Sequence, residues 1–436
     1  MKSSDGVVLS LGSNLGDRLQ NLKSAVELLG MKGLTEIQVS PVVETAAWLK
    51  PGSPREWNRP YLNLVLKAQS HLLATEGLRV CQEIEQKLGR QTNAVWSPRP
   101  IDIDLILWNG ERMQSPELNL PHAGAFERPF VLDPWMALSP EQILRDSKSV
   151  LQFRRQLADP CPVLMGVVNI TPDSFSDGGV NFSDESLREY FESIASSPPS
   201  IIDLGGQSTR PGATMISETE EWNRLNRALT QVEALHEGRV RPWISIDTTR
   251  AELARRAIEW GVEIINDVSG FEDPMMLELA ASTQAQFVFM HHLGVPVNRA
   301  ITLPVSSDPV AEVMRWADNK LNLFIKAGVA IERLIFDPGI GFGKTPEQSL
   351  TLIDRVSELK KLPVRVLIGH SRKSYQAKAT ATFTERYSHL DPNDRDAVTV
   401  QQSLEMTVNG VEFLRVHNVL AHRKAFLQFF SQENRK

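Results

Sequence analysis

Eight short apolar runs, separated by helical stretches, fill the last two-thirds of this chain and leave few folds open to it. The runs are Val163–Ile170, Ile201–Gly205, Trp243–Asp247, Glu263–Val268, Gln286–His291, Leu334–Asp337, Val364–Gly369 and Glu412–His417. Short continuous apolar runs read as strands buried on both faces, and the stretches between them, such as Glu221–His236 and Ala251–Trp260, have amphipathic or polar helical spacing. Eight strands alternating with helices over about 275 residues predict an α/β fold of the (β/α)8 TIM-barrel type. Each run also ends on polar groups: in order Asn169, Asp203, Asp247, Asn266, Met290-His291-His292, Asp337, Ser371-Arg372-Lys373, and Arg415 with His417. In a barrel these ends meet at one mouth, where chemistry takes place. Exit to solvent accounts for some polar strand ends, but not for repeated Asp and Asn with so little Lys or Glu.

A chain of 436 residues exceeds what one core usually supports, so a second domain is expected ahead of the barrel. There the order is strand (Val7–Leu11), helix (Asp17–Gly30), strands Glu36–Trp48 and Tyr61–Ala68, helix (Ala74–Leu88) and strand (Ile101–Trp108). This is the plan of a ferredoxin-like, split βαβ, α+β domain. The Pro/Gly-rich loop LKPGSPREWNRP after Trp48 is too polar to be buried and is a candidate lid. Leu138–Asp159 reads as a short helical connector. The expected organisation is a first domain over 1–140, a linker over 141–160 and the barrel domain over 161–436.

Within the first domain, SPRPIDIDLILW (Ser97–Trp108) alternates polar and apolar residues. Alternation at period two puts Asp102 and Asp104 on one face of a strand, and Ile101, Ile103 and Leu105 on the other. Two carboxylates roughly 6–7 Å apart on a rigid strand suit a pair of hard cations that also bind substrate phosphate. Arg99 just upstream can contact such a phosphate. Taken alone, the segment could equally be an exposed strand edge with solvated aspartates.

Composition narrows the partners. Apolar residues make up 42% and charged residues 23%, as in ordinary globular proteins, and no apolar run reaches membrane-spanning length. The start of the chain has neither the apolar stretch of a secretory signal nor an Arg-rich presequence, so the cytoplasm is the expected compartment. Cys81 and Cys161 are the only cysteines, which fits a reducing compartment and excludes a Cys-rich zinc site. A net charge of −6 argues against general nucleic-acid binding, so local Arg and Lys clusters must grip any anionic substrate.

Several segments then converge: SLGSN near the start, YLN at Tyr61–Asn63, IEQKLGR at Ile84–Arg90, WSPRPIDIDL at Trp96–Leu105, LPH at Leu120–His122 and ERPFVL at Glu127–Leu132. In this order they resemble 6-hydroxymethyl-7,8-dihydropterin pyrophosphokinase over about the first 140 residues. The resemblance implies transfer of pyrophosphate from ATP, the co-substrate, to the hydroxymethyl oxygen of the pterin. Asp102 and Asp104 would hold two Mg²⁺ ions. Arg90 and Arg99 would stabilise charge on the transferred group, with Arg99, His122 and Glu85 on the nucleotide side. Asn63 would hydrogen-bond the pterin, and Tyr61 and Phe130 would stack on it. Two features depart from that family's pattern. Ala123 replaces a larger residue, and the stretch between Arg90 and Trp96 is one residue short.

The later segments are MGVVNITPDSFSDGG, IIDLGGQSTRPGA, SIDTT, INDVSG, MHH, DPGIGFGK, GHSRKS and RVHNV. Together they resemble dihydropteroate synthase over nearly all of residues 160–425. DPGIGFGKT is also a near miss for a phosphate-binding Walker loop, but Pro338 stands where that loop needs its first glycine, so no second nucleotide site is expected. The resemblance implies that 4-aminobenzoate displaces pyrophosphate from the pterin methylene to give 7,8-dihydropteroate. Asn169 would bind one Mg²⁺, with Arg415, His417 and Arg210 as anion contacts. Asp247, Asn266, Asp337 and Lys373 would hydrogen-bond the pterin, and Met290 would pack on it. Thr209, Pro211, Phe342 and Ser374 would form the aminobenzoate side, and Asp203 would order the loop carrying Thr209 and Arg210. Gln207 and Asn418 stand where the family usually has acids, and residues 377–396 resemble it poorly.

The two resemblances support each other, because the product of the first reaction is the substrate of the second. A bifunctional enzyme of folate biosynthesis is the leading expectation, and a pterin-binding protein with one active site is the alternative. Expected partners are small molecules only: ATP, hydroxymethyldihydropterin and 4-aminobenzoate, with no nucleic acid and no membrane. By analogy with the family, a homodimer through the barrel domain is expected.

Overall fold

The structure is a computed structural model, and it describes residues 6–50, 52–91, 97–144, 147–170, 184–195, 199–208, 213–235, 238–298, 300–376 and 394–433. The chain divides into two compact units. One holds Met1–Cys161 with His236–Pro242 and Arg423–Lys436, and the other holds Pro162–Leu235 with Trp243–His422.

The first unit begins with β1 (Val7–Ser13) and α1 (Arg18–Met31), whose start is capped by Asp17 accepting from the Gln20 N–H at 3.0 Å. β2 (Thr35–Val39), β3 (Val43–Thr45), β4 (Tyr61–Gln69), α2 (Ala74–Lys87) and β5 (Asp102–Trp108) follow. The antiparallel sheet runs β2-β4-β1-β5, with β3 also paired to β4, which is the ferredoxin-like order. The single strand expected over Glu36–Trp48 is thus two strands. Pro41 has no N–H for the ladder, and at this break the Val65 N–H donates instead to the Ser40 hydroxyl at 2.9 Å. Helix α2 lies so close to β5 that a Cβ on Gly77 would come within 2.2 Å of the buried Trp108 ring.

A small hairpin, β6 (Met113–Gln114) with β7 (Asn119–Leu120), precedes α3 (Pro129–Leu138) and α4 (Val150–Arg154). The connector expected after Leu138 is well anchored within this unit. Ser149 and Gln152 form a capping box at the start of α4, and the fully buried Arg154 and Asp133 pair at 2.9 Å.

The second unit is a closed barrel of eight parallel strands: β8 (Val163–Asn169), β9 (Ile201–Gly205), β10 (Trp243–Asp247), β11 (Ile264–Asp267), β12 (Gln286–Met290), β13 (Leu334–Asp337), β14 (Arg365–Ile368) and β15 (Phe413–Val416). β15 pairs with β8 and closes the ring. The helices that follow are α5 (Asp184–Ala195), α6 (Glu218–Leu235), α7 (Ala251–Trp260), α8 (Pro274–Ser282), α9 (Pro309–Lys326), α10 (Pro346–Asp354), α11 (Val356–Leu359), α12 (Arg395–Val408) and α13 (Val419–Glu433), the last of which belongs to the first unit from Arg423 onward. Asp273, Asp308, Thr345 and Asp394 cap four of them. The strand register places Asn169, Gly205, Asp247 and Asn266 side by side in one row, and pairs Met290 with Asp337.

Candidate active sites

In the first unit, Asp102 and Asp104 project from one face of β5, while Ile103 and Leu105 are buried on the other. Arginines converge on the two carboxylates. Arg90 lies 2.7 Å and Arg99 3.1 Å from Oδ1 of Asp102, and Arg128 lies 3.1 Å from Oδ2 of Asp104. Burial, together with the charge of Asp102, holds the Asp104 carboxyl above its usual range. Glu85 is nearly buried, and its Oε1 accepts from Arg90 and, at 2.7 Å, from the Ile103 N–H. Burial pushes its carboxyl up to about 7. Glu85 therefore ties helix α2 to β5 and orients Arg90.

Around this centre, Tyr61 hydrogen-bonds to Arg99, and burial raises its phenol. Asn63 donates to the Thr45 hydroxyl at 2.9 Å. Gly12 supplies the space for both, since a Cβ there would sit 3.1 Å from Oδ1 of Asn63 and 3.4 Å from the Tyr61 ring. Phe130 meets Trp48 edge-on at 5.9 Å, and the Arg128 guanidinium lies 5.7 Å from the Phe130 centroid. His122 accepts from the Gly124 N–H through Nδ1 at 3.2 Å, and burial lowers its basicity. The geometry thus joins Arg90, Arg99, Asp102 and Glu85 directly, links Tyr61 through Arg99, and links Phe130 to Asp104 through Arg128.

Sequence reasoning missed Arg128, although it lies in the quoted ERPFVL segment. It also missed Asn14, which accepts from the Arg99 N–H at 2.8 Å and donates its own N–H to the Arg99 carbonyl at 3.2 Å. Asn14 belongs to the SLGSN segment, so the motif was visible where its purpose was not.

In the barrel, Arg415 reaches from β15 across the interior. Its guanidinium lies 2.6 Å from Oδ2 of Asp203 and 2.8 Å from Oδ2 of Asp247. Asn266 donates toward the same Asp203 oxygen at 3.4 Å, while Oδ1 of Asp203 is buried with no hydrogen-bond partner among the described residues. Asp203, expected to order a neighbouring loop, thus turns its carboxylate to Arg415 and Asn266. Burial, and the shared claim of two carboxylates on one arginine, push Asp247 up to about 7. Gly205 keeps the row open, since a Cβ there would sit 3.5 Å from Oδ1 of Asn169 and 3.6 Å from Cβ of Asp247.

Oδ1 of Asp337 accepts from the Gly339 N–H at 2.7 Å, and burial raises its carboxyl. Met290 and Phe342 pack with Val268 into an apolar cluster, and Nζ of Lys373 lies 4.2 Å from the Phe342 centroid. His417 shares a 2.9 Å hydrogen bond with the Ser371 hydroxyl; burial and Arg415 push it down to about 3, so it is neutral at physiological pH. Arg372 pairs with Asp396 at 2.7 Å, and Asn418 donates to the same carboxylate at 3.0 Å. Beside Asp247 opens a cleft of about 350 Å³, lined in part by Gln207, Glu221, Thr248, Arg250 and Ser269. Thr209, Arg210 and Pro211 lie outside the described residues, as does the side chain of Ser374.

The chain matches the family 7,8-dihydro-6-hydroxymethylpterin-pyrophosphokinase over residues 8–140 and the family "pterin binding enzyme" over residues 165–417. A folate synthesis bifunctional protein of Chlamydia caviae is 35% identical to it, covering 97% of this chain and 97% of the relative. The chain belongs to the bifunctional folate-synthesis proteins.

The barrel also resembles solved structures. One is a dihydropteroate synthase of Anaplasma phagocytophilum with bound 6-hydroxymethylpterin-monophosphate, at TM-score 0.53 and 30% identity over 62% of this chain and 99% of the other. Another is a Xanthomonas albilineans dihydropteroate synthase with 4-aminobenzoic acid, at TM-score 0.53 and 34% identity over 62% and 93%. As a member of the bifunctional family, this protein carries two consecutive steps of folate synthesis, pyrophosphorylation of the hydroxymethylpterin and its condensation to dihydropteroate. Enzymes of these two kinds use ATP and Mg²⁺.

The residues present fit such an ion. Mg²⁺ takes one or two carboxylates and fills its remaining positions with water and phosphate. In the pyrophosphokinase unit the arginine bonds fall on Oδ1 of Asp102 and on Oδ2 of Asp104, leaving the other oxygen of each as a hard donor. Asn169, half-buried at the end of β8, offers a neutral oxygen at the barrel mouth.

Proposed function

We propose that Asp102 and Asp104 are the carboxylates that hold two Mg²⁺ ions across the ATP phosphates, and that Asn169 holds one Mg²⁺ at the pyrophosphate of the barrel substrate. Bound there, the ions supply charge neutralisation for groups that carry several negative charges. The observation that carries this reading is the placement of both aspartates on one face of β5, each carboxylate bonded by arginine through one oxygen.

In the first reaction the protein's contribution is positioning. Arg90 and Arg99 are fixed beside Asp102, where charge accumulates on the transferred pyrophosphoryl group. Glu85 keeps Arg90 there and contacts the nucleotide side only through it. His122, with Arg99, faces the nucleotide. Asn63 hydrogen-bonds the pterin edge, and Tyr61 and Phe130 cover its faces. The loop around Arg55–Trp57, none of whose described residues is buried, serves as a lid.

In the second reaction the weak aminobenzoate nucleophile requires the pterin methylene to ionise, or nearly so, as pyrophosphate leaves. Asp247, Asn266, Asp337 and Lys373 hold the pterin edge, and Met290 packs on the ring. Carboxylates on that edge tolerate developing positive charge. Arg415 pairs with Asp203 and Asp247 and turns to the anion as substrate enters. His417, neutral at physiological pH, contacts the leaving group as a hydrogen bonder. Arg210 assists from its loop, and Thr209, Pro211, Phe342 and Ser374 receive aminobenzoate.

No described helix is long and apolar enough to cross a membrane. We propose a cytoplasmic enzyme of small-molecule substrates without membrane or nucleic-acid partners, the net charge of −6 disfavouring the last, and by analogy with its family a homodimer through its barrel.

A coupled assay with separable steps tests the proposal. Asp102→Ala or Asp104→Ala should abolish AMP formation from ATP and hydroxymethyldihydropterin, yet convert supplied pterin pyrophosphate and labelled aminobenzoate to dihydropteroate at the parental rate. Asp247→Asn should do the reverse. AMP formation that survives loss of either β5 aspartate would remove the metal assignment.

A further inference from the structure

Lys344 is a buried lysine for which the reaction described above has no use. It ends the DPGIGFGK segment, and its Nζ lies 2.7 Å from Nδ1 of His291, 3.3 Å from the His291 carbonyl and 2.9 Å from the Phe342 carbonyl. The three donors of an ammonium thus meet three acceptors, two on the residue that follows β12 and one on the loop after β13. None of them is a carboxylate. An unpaired buried ammonium is costly, and burial draws Lys344 down to about 7. Burial and Lys344 push His291 down to about 2, which keeps its imidazole neutral and able to accept through Nδ1.

The same two chain segments are pressed together by glycines. Gly339 has φ +66°, and a Cβ there would fall 1.9 Å from the His291 carbonyl oxygen. Gly343 has φ +70°, and a Cβ there would fall 2.6 Å from the Leu293 side chain. The backbone of 339–343 therefore runs in contact with 291–293, and Lys344 is the polar tie across that contact. Each side of the tie carries a residue of the apolar cluster, Met290 beside His291 and Phe342 two residues before Lys344, and the Phe342 ring carries Lys373 on its face.

We propose that Lys344 is a positioning residue of the synthase site, which locks the end of β12 to the Phe342 loop and so fixes Met290, on which the pterin ring packs, against Phe342 of the aminobenzoate side. The proposal rests on the assignment of Met290 and Phe342 to the substrate faces. Lys344→Met keeps the length and apolar stem but removes every donor, leaving three acceptors unmatched.

The test is steady-state kinetics on the full-length chain with supplied pterin pyrophosphate, with AMP formation by the first unit as the measure of intact protein. Lys344→Met should raise KM for pterin pyrophosphate about tenfold with a much smaller change in kcat, because a misplaced cluster weakens binding in every molecule. A residue needed only for folding would lower the active fraction, and hence apparent kcat, with KM unmoved. Lys344→Arg, which keeps charge and donors but cannot aim them at all three acceptors, should show the same split at smaller size. Asp247→Asn separates this inference from the pocket assignment. Parental KM in Lys344→Met with Asp247→Asn impaired overturns the role of Lys344 alone. Parental KM in both overturns the pocket assignment and the inference with it. Loss of a folded barrel in both Lys344 variants makes the residue a stability determinant and also overturns the proposal.

Discussion

Arg415 holds Oδ2 of Asp247 at 2.8 Å from across the barrel interior. The same guanidinium contacts Asp203, so one cation lies between two buried carboxylates. Removing it would leave both acids without their counter-charge in a region of low dielectric. Breaking a buried pair by deleting one partner costs about 3–5 kcal/mol. Arg415→Met should therefore destabilise the barrel by roughly that amount in urea unfolding. Adding Asp203→Asn to the same chain should recover part of the loss. Equal stability of Arg415→Met and the parent would show that the trio carries no net electrostatic weight.

The raised Asp247 gives the barrel a definite pH dependence. Its carboxyl titrates near 4 in an unfolded chain and at about 7 in the folded one. Between those values this carboxyl holds more of its proton in the folded state than in the unfolded state, so its contribution to stability falls as pH rises from about 4 to about 7. The buried Asp267, pushed up to about 6, acts in the same direction. Buried neutral histidines such as His291 and His417 act in the opposite direction, so the Asp247 part is read as a difference: calorimetry that resolves the barrel transition should show the Tm of Asp247→Asn gaining on the parent's as pH rises across this window. A Tm difference that stays constant across the window would assign the titration to another group.

Glu85 makes a separate prediction for the first unit. Its Oε1 accepts from the Ile103 N–H at 2.7 Å and from Arg90. Glu85→Ala leaves a buried backbone donor unmatched, which costs about 1–3 kcal/mol, and frees Arg90 from its orientation beside Asp102. AMP formation should fall about tenfold or more with little change in the KM for pterin. Glu85→Gln, which keeps an acceptor for the Ile103 N–H, should recover most of the stability and less of the rate. Rates that followed stability alone in the two variants would make Glu85 a purely structural tie.

How much of this was legible beforehand depended on the range of the interaction. The barrel strands could be read because a strand buried on both faces must be apolar throughout, and Asp102 and Asp104 because a period of two is a local property. Residues that act by reaching across the fold were not legible in the same way. Arg128 finds Asp104 from 24 positions away, and Arg415 finds Asp203 from 212 positions away. Nothing local in either segment states the partner. Arg415 was expected to grip an anion, yet its contacts are carboxylates of its own chain. The break between β2 and β3 hinged on a single proline in an otherwise strand-like run. Lys344 was read only as the end of the DPGIGFGK segment and of a failed nucleotide motif, with no role of its own, because its acceptors are a histidine nitrogen and two carbonyls that only the folded backbone brings together.

Gln207, which departs from the family's usual Glu, gains an explanation from its neighbours. Its Nε2 donates to the Ser208 carbonyl at 3.0 Å and the Thr214 carbonyl at 3.2 Å, while its Oε1 accepts from the Ile216 N–H at 2.9 Å. Arg250 holds the same stretch from β10's side, donating to the Ile216 carbonyl at 2.6 Å while it pairs with Glu221. An amide can serve as donor and acceptor at once, whereas a carboxylate is an acceptor only. In Gln207→Glu the two carbonyls would face a negative oxygen in place of an N–H, so about 1 kcal/mol for each lost bond and some repulsion would loosen residues 213–217. The expected outcome is a rise of several-fold in the KM for aminobenzoate at neutral pH, with the pterin KM unchanged. Protonating the new carboxyl restores a donor, so the defect should shrink as pH falls toward 5. An aminobenzoate KM equal to the parent's at every pH would mean that the amide's two donor bonds are dispensable and that this position tolerates either side chain.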